Sequence, residues 1–293
     1  MDLHGTVPSV ANEPWSIEGR RVVITGATAG IGLAAAESLA AMGARLTIVA
    51  RDAGRAEEAA ERISTGGVRP DVLLADLASL DAVRRLAGEI LERHERLDVL
   101  VNNAGAVHTR RRVTDDGIEL TWAVNHLAPF LLTNLLLERL RESAPARIVT
   151  TSSDAHSGMR IPFDDLNAER GYGGFRRYGE TKLANILFTA ELGHRLQGTG
   201  VTATCYHPGF VASSFNKNNG WRMRLAMTLA RPFARSVSKG ADTLVWLVAS
   251  PESADQTGGY FLDRRLAVPG QAARDPDAAR RLWEVSEHQT GLA

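Results

Sequence analysis

The chain has 293 residues, 44% hydrophobic and 23% charged, which is an ordinary composition for one large α/β domain or two small ones. Its 34 Lys and Arg residues balance 34 Asp and Glu residues, so no basic excess indicates nucleic acid or an anionic membrane as a partner. The single cysteine, Cys205, excludes an internal disulfide and a cysteine cluster for zinc, and we expect no metal site.

The apolar segments predict neither a membrane span nor a secretory signal. No stretch reaches 18 apolar residues, and the longest, 128–140, is interrupted by polar residues. The N-terminus lacks a basic start followed by an apolar run. We therefore expect a cytoplasmic protein whose residues 1–19 form an N-terminal leader.

Short β-branched runs alternate with helical patterns along most of the chain. Strands are predicted at 21–25, 45–50, 71–75, 97–101, 147–151, 201–206 and 260–262. Helices are predicted at 31–42, 53–64, 79–94, within 114–142 and at 178–197. The alternation predicts a single α/β domain over residues 20–270, with a Rossmann-type doubly wound parallel sheet and helices on both of its faces.

Two segments depart from this alternation. Residues 213–238 predict a small helical substrate lid over the carboxyl ends of the strands, where open α/β sheets bind ligands. The lid carries apolar residues that predict either a substrate wall or ordinary packing: Trp221, Met223, Met227 and Phe233. Residues 271–293 predict a C-terminal helical tail with Asp275 as N-cap and Pro276 as first helical residue, which docks on the domain or forms a subunit contact.

A glycine-rich turn, Thr25-Gly-Ala-Thr-Ala-Gly-Ile-Gly32, joins the first strand to the first helix. Glycines permit a tight turn and let the backbone approach phosphates, while the helix N-terminus faces the negative charge. The alternative is a purely structural corner between strand and helix. We predict that the turn holds a dinucleotide pyrophosphate through Gly26, Thr28, Gly30, Ile31 and Gly32.

The end of the second strand reads Ala50-Arg51-Asp52. An acidic residue at this point would grip the ribose hydroxyls of NAD and repel the 2′-phosphate of NADP. Ala50 stands in its place, and Arg51, supported by Arg55, can pair with a phosphate. Asp52 favours NAD, although as a helix N-cap it would point elsewhere. The sequence thus predicts that NADP(H) is preferred over NAD(H).

Tyr178 and Lys182 lie one helical turn apart, and the chain has only three lysines and four tyrosines, so the spacing is rare by chance. Reduction of a carbonyl needs a hydride on carbon and a proton on oxygen; a nicotinamide supplies the first and Tyr178 the second, or Tyr178 acts as base in reverse. An ordinary tyrosine pKa is about 10, and we expect the Lys182 ammonium to lower it. Tyr172 is rejected because Arg176 stands four residues later.

Further segments resemble the short-chain dehydrogenase/reductase family over roughly residues 20–265. These are Asp76-Leu77, Asn102-Asn-Ala-Gly105, Asn125, Ser152-Ser153 and His207-Pro208-Gly209, in addition to the glycine turn and the Tyr–Lys pair. Four features resemble the retinol-dehydrogenase-like branch of that family. They are Ala-Arg-Asp at 50–52, Val124-Asn125-His126, Ser-Ser-x-Ala-His at 152–156 and Lys182-Leu-Ala-Asn-Ile-Leu-Phe188.

The resemblance implies roles for individual residues. Ser153 would hold the substrate oxygen, with Ser152 as the alternative, and Lys182 would also hold the nicotinamide ribose. Asn125 would anchor a water that relays protons to Lys182, or cap a backbone group, or both. The implied cofactor contacts are Asp76 and Leu77 at the adenine, Asn102, Ala104 and Gly105 at its ribose, Pro208 and Gly209 at the nicotinamide, and Val211 and Ser213 at its carboxamide.

These features predict an NADP-dependent oxidoreductase that acts on a lipophilic ketone, aldehyde or secondary alcohol. The alternative is a non-catalytic dinucleotide-binding sensor or scaffold on the same fold. His156 and His207, although close to the predicted site, are expected to be structural. A homodimer or homotetramer through the helices within 114–142 and at 178–197 is possible by the resemblance.

Overall fold

The computed structural model describes residues 15–211 and 234–293. The predicted lid, 213–238, lies outside these ranges apart from residues 234–238, and Ser213 and the four apolar lid residues lie outside them as well. The predicted leader, 1–19, is described from residue 15 onward.

The strands of the described ranges form one sheet. They are β1 (Arg21–Thr25), β2 (Arg45–Ala50), β3 (Asp71–Leu74), β4 (Val99–Asn102), β5 (Ala146–Thr151), β6 (Val201–Tyr206), β7 (Tyr260–Leu262) and β8 (Arg265–Ala267). Their order is β3-β2-β1-β4-β5-β6-β7-β8, and all neighbouring pairs are parallel except β7 and β8. The predicted doubly wound parallel sheet is confirmed, because the strand order runs outward in both directions from β1.

Seven helices of 12 residues or more accompany the sheet within the described ranges. They are α1 (Gly30–Ala41), α2 (Ala53–Ser64), α3 (Leu80–Arg93), α4 (Leu120–Glu142), α5 (Gly174–Arg195), α6 (Val237–Ala249) and α7 (Pro276–Thr290). Val22 and Ile24 of β1 join the core under α1, α2 and α6, whereas Val23 joins the core under α3, α4 and α5. Successive strand side chains point to opposite faces, so a strand covered on both faces needs a continuous apolar run.

Helix α4 contains a π-helical turn at Ala123–Leu127, which sequence patterns did not predict. Pro129 has no backbone N–H for the carbonyl of Asn125, four residues earlier, so the α-helical bond cannot form at that point.

By length and composition α4 is also the one described helix that could cross a membrane, yet 72% of its most apolar window is buried inside the protein. The absence of a membrane span and the cytoplasmic location stay predictions.

Both ends of the described chain pack on the domain. Trp15 is buried, donates from its indole nitrogen to Val248 O at 2.9 Å, and lies between the guanidinium groups of Arg20 and Arg147, 4.0 and 3.9 Å from its ring centre. At the other end, Asp275 Oδ1 accepts hydrogen bonds from the first amides of α7, as its pattern predicted.

The aromatic ring of Trp283 attaches α7 to the domain. It lies 5.0 Å from the ring of Phe130 on α4 and 5.8 Å from that of Phe188 on α5, measured between ring centres. The tail therefore docks on its own domain, and a subunit contact through it stays a prediction.

Candidate active site

The predicted functional segments meet at one edge of the sheet. The glycine turn follows β1, the Asn102–Gly105 segment follows β4, the Ser152-Ser153 pair follows β5 and the His207–Gly209 segment follows β6. Parallel strands place their carboxyl ends together, and the point beside β1 where the strand order reverses is where such sheets bind ligands. The strand order therefore brings together segments that lie more than 180 residues apart in the sequence.

The glycine turn forms a concave backbone surface, called the glycine cradle below, in which there is no space for side chains. Gly26 has a positive φ of 72°, and a Cβ on it would lie 2.8 Å from Ala104 Cα; a Cβ on Gly32 would overlap the side-chain amide of Asn103. Among the described residues no side chain caps the N-terminus of α1, so its first amides are left without a side-chain acceptor. The turn therefore fits a dinucleotide pyrophosphate.

Asn103 ties the glycine turn to the end of β4, a role that the sequence analysis missed. Its Nδ2 donates to the carbonyl oxygens of Thr25 at 3.0 Å and Gly26 at 3.1 Å, and its backbone N–H donates to Thr25 Oγ1 at 3.1 Å. Its position within the Asn-Asn-Ala-Gly segment was the available signal. Asn102, by contrast, is buried and donates to Thr133 Oγ1 of α4 at 2.9 Å, so its side chain faces the helix.

The residues that follow β2 and β3, which were predicted to hold the adenosine part of the cofactor, lie at least partly in solvent. Asp52 Oδ1 accepts from Arg55 N at 2.8 Å as N-cap of α2, while Arg51 is exposed. Asp76 is exposed with its Oδ1 accepting from Ala78 N at 3.0 Å, and Leu77 is half-buried. Asp52 is thereby turned toward its own helix, which leaves the positive charge of Arg51 available at this end.

Ser153, Tyr178 and Lys182 come together between β5 and α5. The Ser153 side chain is near enough to Tyr178 to oppose the rise in the pKa of its phenol, and Lys182 Nζ lies 5.4 Å from the centre of the Tyr178 ring. Lys182 is buried and donates to Thr151 O at 2.8 Å. Ser152 is also buried and donates to Lys182 O at 2.8 Å, so of the two serines only Ser153 reaches the phenol.

Gly179 permits this close approach. A Cβ on it would overlap the carbonyl oxygen of Ala155 and lie 2.9 Å from Met159 Cγ, so only glycine lets α5 touch the turn that carries Ser153. At the start of the same helix, a Cβ on Gly174 would overlap the carbonyl oxygen of His108. Neither glycine was singled out from the sequence, since both contacts join segments far apart in the chain.

Burial sets the pKa values of the tyrosine and the lysine. It raises the pKa of Tyr178 to about 12, against the opposing effect of the Ser153 hydrogen bond, and lowers that of Lys182 to about 8. The expectation that Lys182 lowers the pKa of Tyr178 below its ordinary value is therefore wrong for this structure. Removal from water penalises the phenolate more than its neighbours stabilise it.

Asn125, in the π-helical turn, holds the loop after β4. Its Oδ1 accepts from Ala106 N at 2.7 Å, and its Nδ2 donates to Ala106 O at 2.9 Å and Thr181 Oγ1 at 3.1 Å. A Cβ on Gly105 would lie 3.4 Å from Asn125 Oδ1 and 3.6 Å from Lys182 Nζ. The backbone-capping role expected for Asn125 is present, while the water relay stays a prediction.

The segment after β6 packs against both α6 and the glycine turn. Gly209 has a φ of 79° and donates from its N–H to His207 Nδ1 at 3.0 Å, next to the half-buried Pro208. A Cβ on Gly240 of α6 would lie 2.6 Å from Val211 Cγ2 and 3.3 Å from Ile31 Cγ1. Ile31, predicted at the pyrophosphate, and Val211, predicted at the nicotinamide carboxamide, thus pack against the same helix.

The comparisons with known proteins agree with this geometry. A family model described as short chain dehydrogenase matches residues 20–223. Retinol dehydrogenase 12 of Mus musculus is 43% identical over 278 residues, covering 94% of this chain and 88% of the relative. A Streptomyces sp. (strain C5) protein named for daunorubicin C-13 ketoreductase activity is 43% identical over 279 residues and 94% of each chain.

A solved structure gives the same result. A short chain dehydrogenase from Burkholderia cenocepacia J2315, in complex with NADP, superposes with a TM-score of 0.67 at 28% identity, covering 87% of this chain and 98% of that one. The family match over most of the chain, together with the relatives at 43% identity, is sufficient for an assignment. The chain belongs to the short-chain dehydrogenase/reductase family and is an oxidoreductase.

Proposed function

We propose that this oxidoreductase uses NADP(H) to transfer a hydride between nicotinamide and the carbonyl carbon of a lipophilic ketone or aldehyde, or the corresponding alcohol. The observation that carries the proposal is the packing of Ser153, Tyr178 and Lys182 at the sheet edge beside the glycine cradle. A non-catalytic sensor, the alternative raised by the sequence, has no need of this arrangement and is not retained for a chain of this family.

Ser153, Tyr178 and Lys182 each have a separate role in the proposed carbonyl reduction. The cofactor, held by the glycine cradle and by Arg51, supplies the hydride when bound. The Ser153 hydroxyl donates a hydrogen bond to the carbonyl oxygen and orients it. Tyr178 then gives its proton to that oxygen as negative charge develops there, and the resulting phenolate is stabilised by Ser153 and by the Lys182 ammonium before solvent returns the proton.

The preference for NADP(H) rests on the residues that follow β2. Asp52 is engaged as the N-cap of α2, so the carboxylate that would repel a 2′-phosphate faces its own helix. Arg51 is exposed and offers a planar fork of donors suited to a phosphate. The Burkholderia cenocepacia relative was solved with NADP, which supports the same preference.

The lipophilic substrate class rests on two exposed aromatic side chains. Phe175 is 52% exposed and lies three residues before Tyr178 on α5, which places the two on neighbouring positions of one helix face. Phe210 is 46% exposed and directly follows Gly209. Apolar surface at the mouth of a cleft favours an apolar ligand. The names of the relatives, retinol dehydrogenase and a C-13 ketoreductase, point to substrates of that class.

The test begins with titration of the purified protein with NADPH and NADH, followed by nicotinamide fluorescence, and continues with a panel of apolar ketones and aldehydes. We expect tight NADPH binding and ketone-dependent oxidation of NADPH. Tyr178→Phe should abolish turnover and leave the Kd for NADPH nearly unchanged, since only the acidic hydroxyl is removed.

Tyr172→Phe is the matched control. The variant loses the hydroxyl that donates to His108 O at 2.8 Å and contacts Thr121 Oγ1 at 3.2 Å, and this tyrosine has no part in the proposed proton transfer. We expect a small loss of stability, about 1 kcal/mol, and preserved turnover. Normal turnover by Tyr178→Phe would remove the phenol from the mechanism, and failure to bind either nucleotide would reduce the glycine turn to a structural corner.

A further inference from the structure

His156 is a buried histidine that takes no part in proton transfer, yet both of its ring nitrogens are engaged. Its Nδ1 lies 2.7 Å from the carbonyl oxygen of Ser153, and its Nε2 lies 3.0 Å from the backbone nitrogen of Gly270. Its ring meets that of Tyr260 edge-on, at 5.2 Å between centres. The imidazole thus spans from the turn after β5 to the segment that leads into the C-terminal helix.

The chemistry of the two partners fixes the state of the ring. A backbone N–H can only donate, so Nε2 must accept from Gly270, and a carbonyl oxygen can only accept, so Nδ1 must donate to Ser153. A neutral imidazole with its hydrogen on Nδ1 satisfies both partners. The other neutral tautomer satisfies neither, and the charged ring would direct an N–H at the N–H of Gly270.

These bonds hold the backbone of Ser153 at the point where its side chain reaches Tyr178. The Ser153 carbonyl accepts from the His156 ring and, at 3.2 Å, from the His156 backbone N–H, while Ser153 Oγ accepts from Ala155 N at 3.2 Å. On the far side, Gly270 precedes the short helix Gln271–Arg274, which leads to α7. The Ser153 turn is therefore braced against a segment of the chain more than 110 residues away.

We propose that His156 is a positioning residue for the reaction, in which its neutral imidazole holds the Ser153 turn so that the serine hydroxyl meets Tyr178 and the substrate oxygen. The inference rests on the proposed function of Ser153. The contact with Gly270 selects the tautomer with its hydrogen on Nδ1, and the contact with Ser153 is the one that acts on the site.

Two conservative variants separate these contacts. The side-chain amide of Asn reaches the position of Nδ1, so His156→Asn keeps a donor for Ser153 and loses the acceptor for Gly270. The longer amide of Gln reaches the position of Nε2, so His156→Gln keeps the Gly270 contact and loses that to Ser153. Each variant loses one hydrogen bond, which makes the two matched controls for stability, checked by thermal unfolding.

The readout is steady-state carbonyl reduction, with kcat and the KM for NADPH measured separately. We expect His156→Gln to lose roughly tenfold to a hundredfold in kcat, because a displaced serine misplaces the substrate oxygen, with little change in KM for NADPH. His156→Asn should keep most of the wild-type kcat. Equal losses in both variants, no loss in either, or a loss confined to His156→Asn would each overturn the proposal.

A second measurement does not depend on turnover. The nitrogen resonances of histidine-labelled protein, with His156 assigned by its absence in His156→Asn, should show the Nδ1–H tautomer at neutral pH. The Nε2–H tautomer or a charged ring would overturn the proposal even with an active enzyme. A wild-type protein that binds NADPH but reduces no carbonyl would instead refute the proposed function, and the positioning role would fall with it.

Discussion

Tyr178 keeps its proton at neutral pH, because burial raises the pKa of its phenol to about 12. Lys182 is charged only in part above neutrality, because burial lowers its pKa to about 8. A protonated phenol is the form that reduction requires, whereas oxidation of an alcohol requires the phenolate. At neutral pH the free site therefore holds the acid form that carbonyl reduction uses.

The pH dependence of the two directions follows from this. Well below its pKa, the phenolate fraction grows about tenfold per pH unit, so alcohol oxidation should accelerate with pH until Lys182, with a pKa of about 8, loses the charge that stabilises the phenolate. Carbonyl reduction should gain nothing as the pH rises, since its acid form is already present, and should fall above about pH 8 as Lys182 loses its proton. Initial rates in both directions, measured on one substrate pair, check this; an oxidation rate that levels off below about pH 8 would contradict the raised pKa.

Arg51 is the residue on which the choice of cofactor depends. Arg51→Asp replaces a donor for the 2′-phosphate by a repelling carboxylate, which can also accept from ribose hydroxyls. The ratio of the Kd values for NADPH and NADH should shift toward NADH. Arg45→Asp makes the same change of charge at the other end of β2 and should leave the ratio unchanged. An unaltered preference in Arg51→Asp would mean that the phosphate is read elsewhere.

At the level of elements, the contact between α5 and the Ser153 turn depends on Gly179. Gly179→Ala should force the helix away from Ala155, because its Cβ has no space there. We expect a loss of about 1–3 kcal/mol in the free energy of unfolding and a kcat reduced by up to about a hundredfold. Thermal unfolding and carbonyl reduction measure the two effects.

Gly88→Ala is the matched control for that substitution. Gly88 lies within α3, and a Cβ on it would meet no atom within 4 Å. Alanine is the better helix former, so this variant should gain up to about 1 kcal/mol and keep full activity. Similar behaviour of the two variants would show that the contact at Gly179 does not position the catalytic serine.

Local patterns in the sequence were sufficient for most elements and for the motif residues. Runs such as Val22–Ile24 and the capping pair Asp275-Pro276 carry their structural signal within a few residues. The three-residue strand β8 has no such run, and the Gly174 start of α5 is obscured by glycines that normally break helices. The contacts of Gly179 and His156 could not be predicted, since each joins residues that meet only after folding.

At the level of the whole molecule, Trp15, the first described residue, packs on the face of the sheet that α1, α2 and α6 cover. Arg147 is buried, donates to Leu247 O at 2.7 Å and Ser253 Oγ at 3.0 Å, and has its pKa lowered to about 9 by burial. The electron-rich face of Trp15 lies over this guanidinium and partly replaces the water that it has lost.

Removal of that indole should therefore destabilise the whole domain. We expect Trp15→Ala to cost about 3–5 kcal/mol, through a cavity and the exposure of an unpartnered guanidinium face. Trp15→Phe keeps an aromatic face but loses the indole hydrogen bond to Val248 O and part of the ring volume, so its cost should be smaller, about 1–2 kcal/mol. Chemical denaturation measures both, and equal losses would show that the ring face contributes nothing.

The π-helical turn of α4 makes the number of residues in that helix a functional property. A π-helical turn contains one residue more than an α-helical turn. Deleting a single residue within Ala123–Leu127 would restore α-helical spacing, leave the flanking turns in register and remove the local widening from which the Asn125 side chain projects. Asn125 would then lose its hydrogen bonds to the backbone of Ala106, even with Asn125 itself, Ser153, Tyr178 and Lys182 all retained. Among relatives, a gap of one residue in this helix would therefore mark a changed active site more reliably than most substitutions.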